Sequence, residues 1–103
     1  HKVMQEELNQ IQVVPNPYLL RSRFNETANE RRMRFTHLPQ HCRISIFTIS
    51  GEIVHNINHD NVYDGNSWWD LKSTHGELVS PGLYIYIVES EGLEHIGKFA
   101  IVR

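Results

Sequence analysis

Leu83-Tyr84-Ile85-Tyr86-Ile87-Val88-Glu89 is the strongest strand signal in the chain. Almost every place holds a β-branched or aromatic residue, and the run contains neither Gly nor Pro. Such side chains fit a pleated surface, and the run is too short for a helix with one buried stripe. Side chains alternate across a strand. Leu83, Ile85 and Ile87 therefore line one face, and Tyr84, Tyr86 and Val88 the other. Glu91-Gly92-Leu93-Glu94 turns the chain back, and residues 95–102 (HIGKFAIV) return beside it. Both faces of the 83–88 strand are apolar, whereas a sheet in a two-layer sandwich needs only one apolar face. The second face calls for cover. Loops and the N-terminal segment are the expected cover, and a partner molecule is the alternative.

The upstream sequence repeats the pattern. Residues 42–50 (CRISIFTIS) begin with Ile44 and Ile46 on one face and continue with Phe47 and Ile49 on the other. That change of parity predicts a bulge or burial on both faces. Ser50-Gly51-Glu52 is a tight turn, with Gly51 free to take a positive φ. Residues 53–58 form the returning strand, and 58–67 a polar loop. Met33 and Phe35 alternate with arginines over 32–38, and Trp68 to Lys72 is a short strand. Ile11-Gln12-Val13-Val14 is a further run, stopped by Pro15-Asn16-Pro17 and so expected at a sheet edge. Residues 21–31 are polar and read as a loop. Residues 4–12 allow one helical turn at most. This makes about seven short strands separated by turn residues. The fold expected is all-β, an antiparallel sandwich of the immunoglobulin-like type. Residues 1–14 form an N-terminal segment or edge strand, and residues 15–103 a single sandwich domain.

At 103 residues the chain has room for one domain. Its formal net charge of -2 argues against a general nucleic-acid binder. The charge is unevenly spread: arginines crowd Arg21 to Arg43, and acids crowd Glu52 to Glu94. The lone Cys42 excludes an internal disulfide. No apolar stretch is long enough to span a bilayer, and no signal peptide is present. The chain starts at His1, so any export signal is expected upstream.

Little in the sequence promises chemistry. His37 and His41 are spaced by four, as are His55 and His59. On strands that spacing covers about 13 Å, too far for two ligands of one zinc. Asp60, Asp64 and Asn66 cluster around Gly65, with Asp70 beyond. Calcium wants such oxygens, but the spacing misses the calcium-loop pattern, and turn formation is the plainer reading. The serines lack a nucleophile-elbow context, and the glycines are dispersed at turns. The reading is of a non-enzyme with no cofactor, no metal and no small-molecule substrate.

The order of the motifs resembles a known family. Val13-Val14-Pro15-Asn16-Pro17-Tyr18 is similar to the opening of the type A C-terminal sorting domains of the bacterial type IX secretion system. The hairpin from Ile44 through Gly51 to Val54 resembles that family's central segment. Trp69-Asp70, Gly76, Gly82, Tyr84, then Gly97-Lys98 and the final Arg103 resemble its close. The immunoglobulin-like domain of flagellar hook-capping proteins shares the middle part. The resemblance covers residues 13–103. It implies a seven-stranded sandwich whose last strands are read by outer-membrane export machinery, and a place outside the cell or on its surface. Leu71 departs from the pattern, which has Gly there; a continued strand is expected instead of a turn.

Three functions follow as expectations. The first is a sorting and surface-attachment domain, expected as a monomer. The second is a subunit of an extracellular filament, built by head-to-tail strand addition between neighbouring copies. Its candidate contacts are Val3, Leu8, Ile11, Val13, Trp68 and Tyr86. The third is a carbohydrate-binding module, which requires a row of exposed Trp and Tyr rings.

Overall fold

The computed structural model describes residues 2–20 and 31–103. The loop expected at 21–31, with Arg21 and Arg23 of the basic stretch, lies outside the described residues up to residue 30. Eight strands and one helical turn are described: α1 (Gln5–Leu8), β1 (Gln12–Val14), β2 (Tyr18–Leu19), β3 (Met33–Thr36), β4 (His41–Thr48), β5 (Ile53–Asp60), β6 (Ser67–Trp69), β7 (Gly82–Ser90) and β8 (Leu93–Val102). They form a three-stranded sheet, β1-β3-β6, and a five-stranded sheet, β2-β8-β7-β4-β5. The chain is thus an all-β sandwich. One pairing is parallel, between β2 and the end of β8.

The β7–β8 hairpin forms as the alternation requires. Its register runs from Gly82 opposite Ile101 to Ser90 opposite Leu93. The two-residue turn has Glu91 at φ 52° and Gly92 at φ 79°, the positive pair that matches strand twist in a tight hairpin. At the β4–β5 turn Gly51 sits at φ 94° and its N–H donates to the Thr48 carbonyl at 2.9 Å. The expected bulge is present, but on the partner strand. Ile46 faces His55 and Phe47 faces Ile53, so Val54 is the extra residue, and its side chain is buried.

Tyr84, Tyr86 and Val88 turn inward; Leu83, Ile85 and Ile87 turn outward. The inner face takes the aromatics because they bring more apolar area and their hydroxyls find partners. The Tyr84 hydroxyl donates to the Ser80 carbonyl, and the Tyr86 hydroxyl lies 3.4 Å from His95 Nε2. Phe99 is the centre of the aromatic core. It stacks on Tyr84 at 5.4 Å and meets the edge of Trp69 at 5.8 Å. Of the two tryptophans, Trp69 is in the core, its Nε1 donating to the Lys72 carbonyl at 2.9 Å, and Trp68 is exposed.

Gly97 is required for a steric reason. It lies directly opposite Tyr86, and a Cβ there would sit 2.4 Å from the tyrosine ring. The ring occupies the space that any side chain on that side of β8 would fill.

Two expectations need correction. The strand does not continue through Leu71: β6 ends at Trp69, and Leu71 takes φ 65° in a turn. Its fully buried side chain holds a backbone conformation that glycine adopts more cheaply. Within the N-terminal segment, β1 lies at the edge of the three-stranded sheet, paired with β3, and α1 packs beside β8. That segment does not cover the second apolar face of β7, where Leu83 remains 57% exposed.

Candidate interaction surfaces

The positions shared with the sorting-domain pattern fall mostly inside the scaffold. Trp69 and Tyr84 are core residues, and Gly51, Gly76 and Gly97 serve turns or close packing. Asp70 accepts the Lys72 N–H at 3.2 Å and shapes the turn after β6. Gly82 opens β7. Pro15 and Pro17 flank Asn16 where the chain passes from one sheet to the other.

Asn16 has a defined task there. Its Nδ2 donates to the Lys98 carbonyl at 3.1 Å, and its Oδ1 accepts the Ala100 N–H at 3.2 Å. The side-chain amide thereby imitates one rung of a neighbouring strand. It covers part of the free edge of β8, which β2 pairs only at Ile101 and Val102. Gln5 adds a bond from its Nε2 to the Glu94 carbonyl at 2.9 Å. Lys98 and Arg103 are the two motif residues with exposed side chains that no such task absorbs.

The proposed donor-strand contacts are placed elsewhere. Val3, Leu8, Ile11 and Val13 are buried in the domain's own core, and so is Tyr86. The Val3 N–H also donates to Glu91 Oε1 at 3.0 Å, tying the segment to the β7–β8 turn. An apolar segment ahead of a proline stop reads alike whether it completes its own sandwich or a neighbour's; here it completes its own. Among those candidates Trp68 alone is exposed, at 51%.

Trp68 stands on the outer face of the small sheet. The Arg32 guanidinium lies 4.2 Å from its ring centroid and that of Arg34 5.6 Å. These are cation–π distances. Arg31, Arg32, His55, Trp69, Asp70 and Lys72 join Trp68 around a cleft of about 420 Å³. With Trp69, Tyr84 and Tyr86 buried, the large aromatic side chains that stay exposed among the described residues are Trp68 and Tyr63.

The titratable groups are placed for structure. His41 Nδ1 lies 2.9 Å from Asp60 Oδ1, and His59 Nδ1 2.9 Å from Ser67 Oγ. Asp64 Oδ1 accepts from the Asn66 N–H at 3.0 Å, an Asx turn that uses the oxygen a cation would need. Among the described residues no three His, Cys, Asp or Glu side chains are grouped to hold a metal. Burial pushes the Cys42 thiol up to about 11, so it stays protonated at neutral pH. Burial also lowers His95, against the opposing effect of its hydrogen bond with the Ile11 backbone. No helix among the described residues is long and apolar enough to cross a membrane.

Among the described residues, the outer face of the five-stranded sheet carries several exposed apolar side chains. Three rungs cross it from β8 to β5. They read Lys98–Ile85–Phe47–Ile53, Ile96–Ile87–Ser45–Asn56, and Glu94–Glu89–Arg43–Asn58. Leu83 and Ala100 form a further rung, and Leu19 and Val102 another. Ile96 is 61% exposed and Ile53 54%. The sequence announced two apolar faces on β7, but not which one stays in water, because the alternation is symmetric.

Similarity to known proteins is structural. The fold overlays a domain of PorZ from Porphyromonas gingivalis with a TM-score of 0.74 and 19% identity, over 95% of this chain and 12% of that one. PorZ is described as an essential bacterial surface component of the type IX secretion system. Dimeric latent PorU from the same organism overlays at 0.60 with 20% identity, over 89% of this chain and 9% of PorU. FlgD from P. aeruginosa overlays at only 0.47 with 16% identity, over 91% of this chain and 74% of that one. The chain thus spans a small fraction of the PorZ and PorU chains. No protein-family model matches the sequence, and no curated protein sequence matches it.

Proposed function

We propose that the chain is a non-catalytic module that directs secretion and surface attachment of an extracellular bacterial protein through a type IX route. The observation that carries this reading is the overlay with PorZ along nearly the whole chain, at a TM-score of 0.74. It is joined by the order of the motif residues, from Pro15-Asn16-Pro17 to Gly97-Lys98 and Arg103. The partner is outer-membrane export machinery. That machinery reads the end of β8 and the exposed Arg103 beyond it, because the earlier motif residues are absorbed in packing and turns. The expected location is the cell surface or the medium. No small molecule, nucleic acid or membrane insertion takes part.

The test is a reporter protein carrying this chain at its C-terminus, expressed in a bacterium with a working type IX system. Reporter at the cell surface or in the medium is the expected result. Reporter retained in the periplasm, with the sandwich folded, contradicts the proposal.

A further inference from the structure

We infer that the outer face of the five-stranded sheet is a two-fold interface between two copies of this chain. The inference does not rest on the export reading, and it replaces the monomer expected of a sorting domain with a weak, concentration-dependent dimer. Its basis is a run of Leu83, Ile85, Ile87, Ile96, Phe47 and Ile53 side chains that no described element covers. A sheet face left to water is normally polar. Three rungs across four strands, at about 4.8 Å between strands and about 6.8 Å between rungs, with the two-strand Leu83–Ala100 rung beside them, make roughly 450 Å² per copy. Two copies then bury about 900 Å², the small end of the range for a specific interface. That size fits a weak, closed dimer.

The charges on the face argue for a second copy over another occupant. Arg43 and Lys98 balance Glu89 and Glu94 there. An anionic membrane or a strongly charged partner asks for one sign. A balanced face is complementary to itself. Lys98 and Glu94 flank Ile96 on the same side of β8, and among the described residues neither has an ion-pair partner. A two-fold axis crossing β8 between Ile96 and Lys98 lays Ile85 against the second copy's Ile87. It lays the Lys98 stem over the second copy's Ile96 and brings the ammonium within reach of that copy's Glu94. By symmetry each dimer holds this pair twice. The interface is isologous, so it closes and does not propagate into a fibre.

The test is sedimentation velocity across about three decades of concentration, from micromolar upward. The wild-type chain should pass from monomer to dimer and stop there. Lys98→Glu and Glu94→Lys should each weaken the dimer by about tenfold or more, since each sets like charges face to face twice. The double variant should return to within about threefold of wild type, because the pair is restored with its signs exchanged. Both substituted positions are exposed, and an unchanged melting temperature of each of the three variants in dilute sample confirms that the monomers fold. A wild-type chain that stays monomeric overturns the inference and leaves the face to another domain or an apolar partner. A dimer indifferent to both single reversals, or a double variant as weak as the singles, overturns it as well.

Discussion

Two residues carry more of the architecture than their types suggest. Gly97 is open on the side of β8 where the Tyr86 ring lies, 2.4 Å from any Cβ placed there. Gly97→Ala should therefore force the ring out of its rotamer and cost about 1–3 kcal/mol, the usual penalty for overpacking. Urea unfolding measures it; an unchanged midpoint would mean that the ring does not depend on that space. Leu71 presents the opposite case, a bulky residue at φ 65° held by complete burial. Leu71→Ala should cost about 2–5 kcal/mol through the lost side chain. Leu71→Gly removes more atoms, yet it should be no worse than Leu71→Ala, because glycine recovers about 1–2 kcal/mol of backbone strain. In an ordinary strand the glycine variant would be the less stable of the two. Nothing in the residue type announced this turn. Leucine has no preference for positive φ, and its demand for burial outweighed the strain.

At the scale of the element, legibility followed length and alternation. The hairpins β4–β5 and β7–β8 could be read because long β-branched runs are broken by turns with glycine at Gly51 and Gly92. β2 could not be read, since Tyr18-Leu19 is only two residues long and follows a proline. Its pairing is set by where β8 ends, which is tertiary information. Trp68 and Trp69 posed a symmetric choice, because neighbours on a strand always take opposite faces. The free edge of β8 is closed by pieces of different elements, with Asn16 at its middle. Asn16→Ala should remove two hydrogen bonds and cost about 1–2 kcal/mol. It should also speed hydrogen exchange at the Ala100 amide more than at amides bonded to β7. Equal protection at Ala100 in the variant would show that another group closes the edge.

For the molecule as a whole, the candidate site was less legible than the fold. The apolar residues at Val3, Leu8, Ile11 and Val13 carried the same signal for a self-completed sandwich as for strand exchange. The structure places them in the chain's own core. The apolar excess on β7 was visible, but its direction was not. The inward turn of the tyrosines leaves Leu83, Ile85 and Ile87 on the outer face. The motif positions are mostly turns, close contacts and core. Residues that build a fold do not by themselves state its use. The motif side chains that remain exposed with no packing or turn task are Lys98 and Arg103.

The export claim is tested most directly by the location of a reporter carrying this chain at its C-terminus, compared with the same fusion bearing Arg103→Ala. Arg103 is exposed beyond the last strand, so its removal leaves the sandwich folded. The account predicts wild-type reporter at the surface or in the medium, and Arg103→Ala reporter held in the periplasm with an unchanged melting temperature. Periplasmic retention of the wild-type fusion would contradict it.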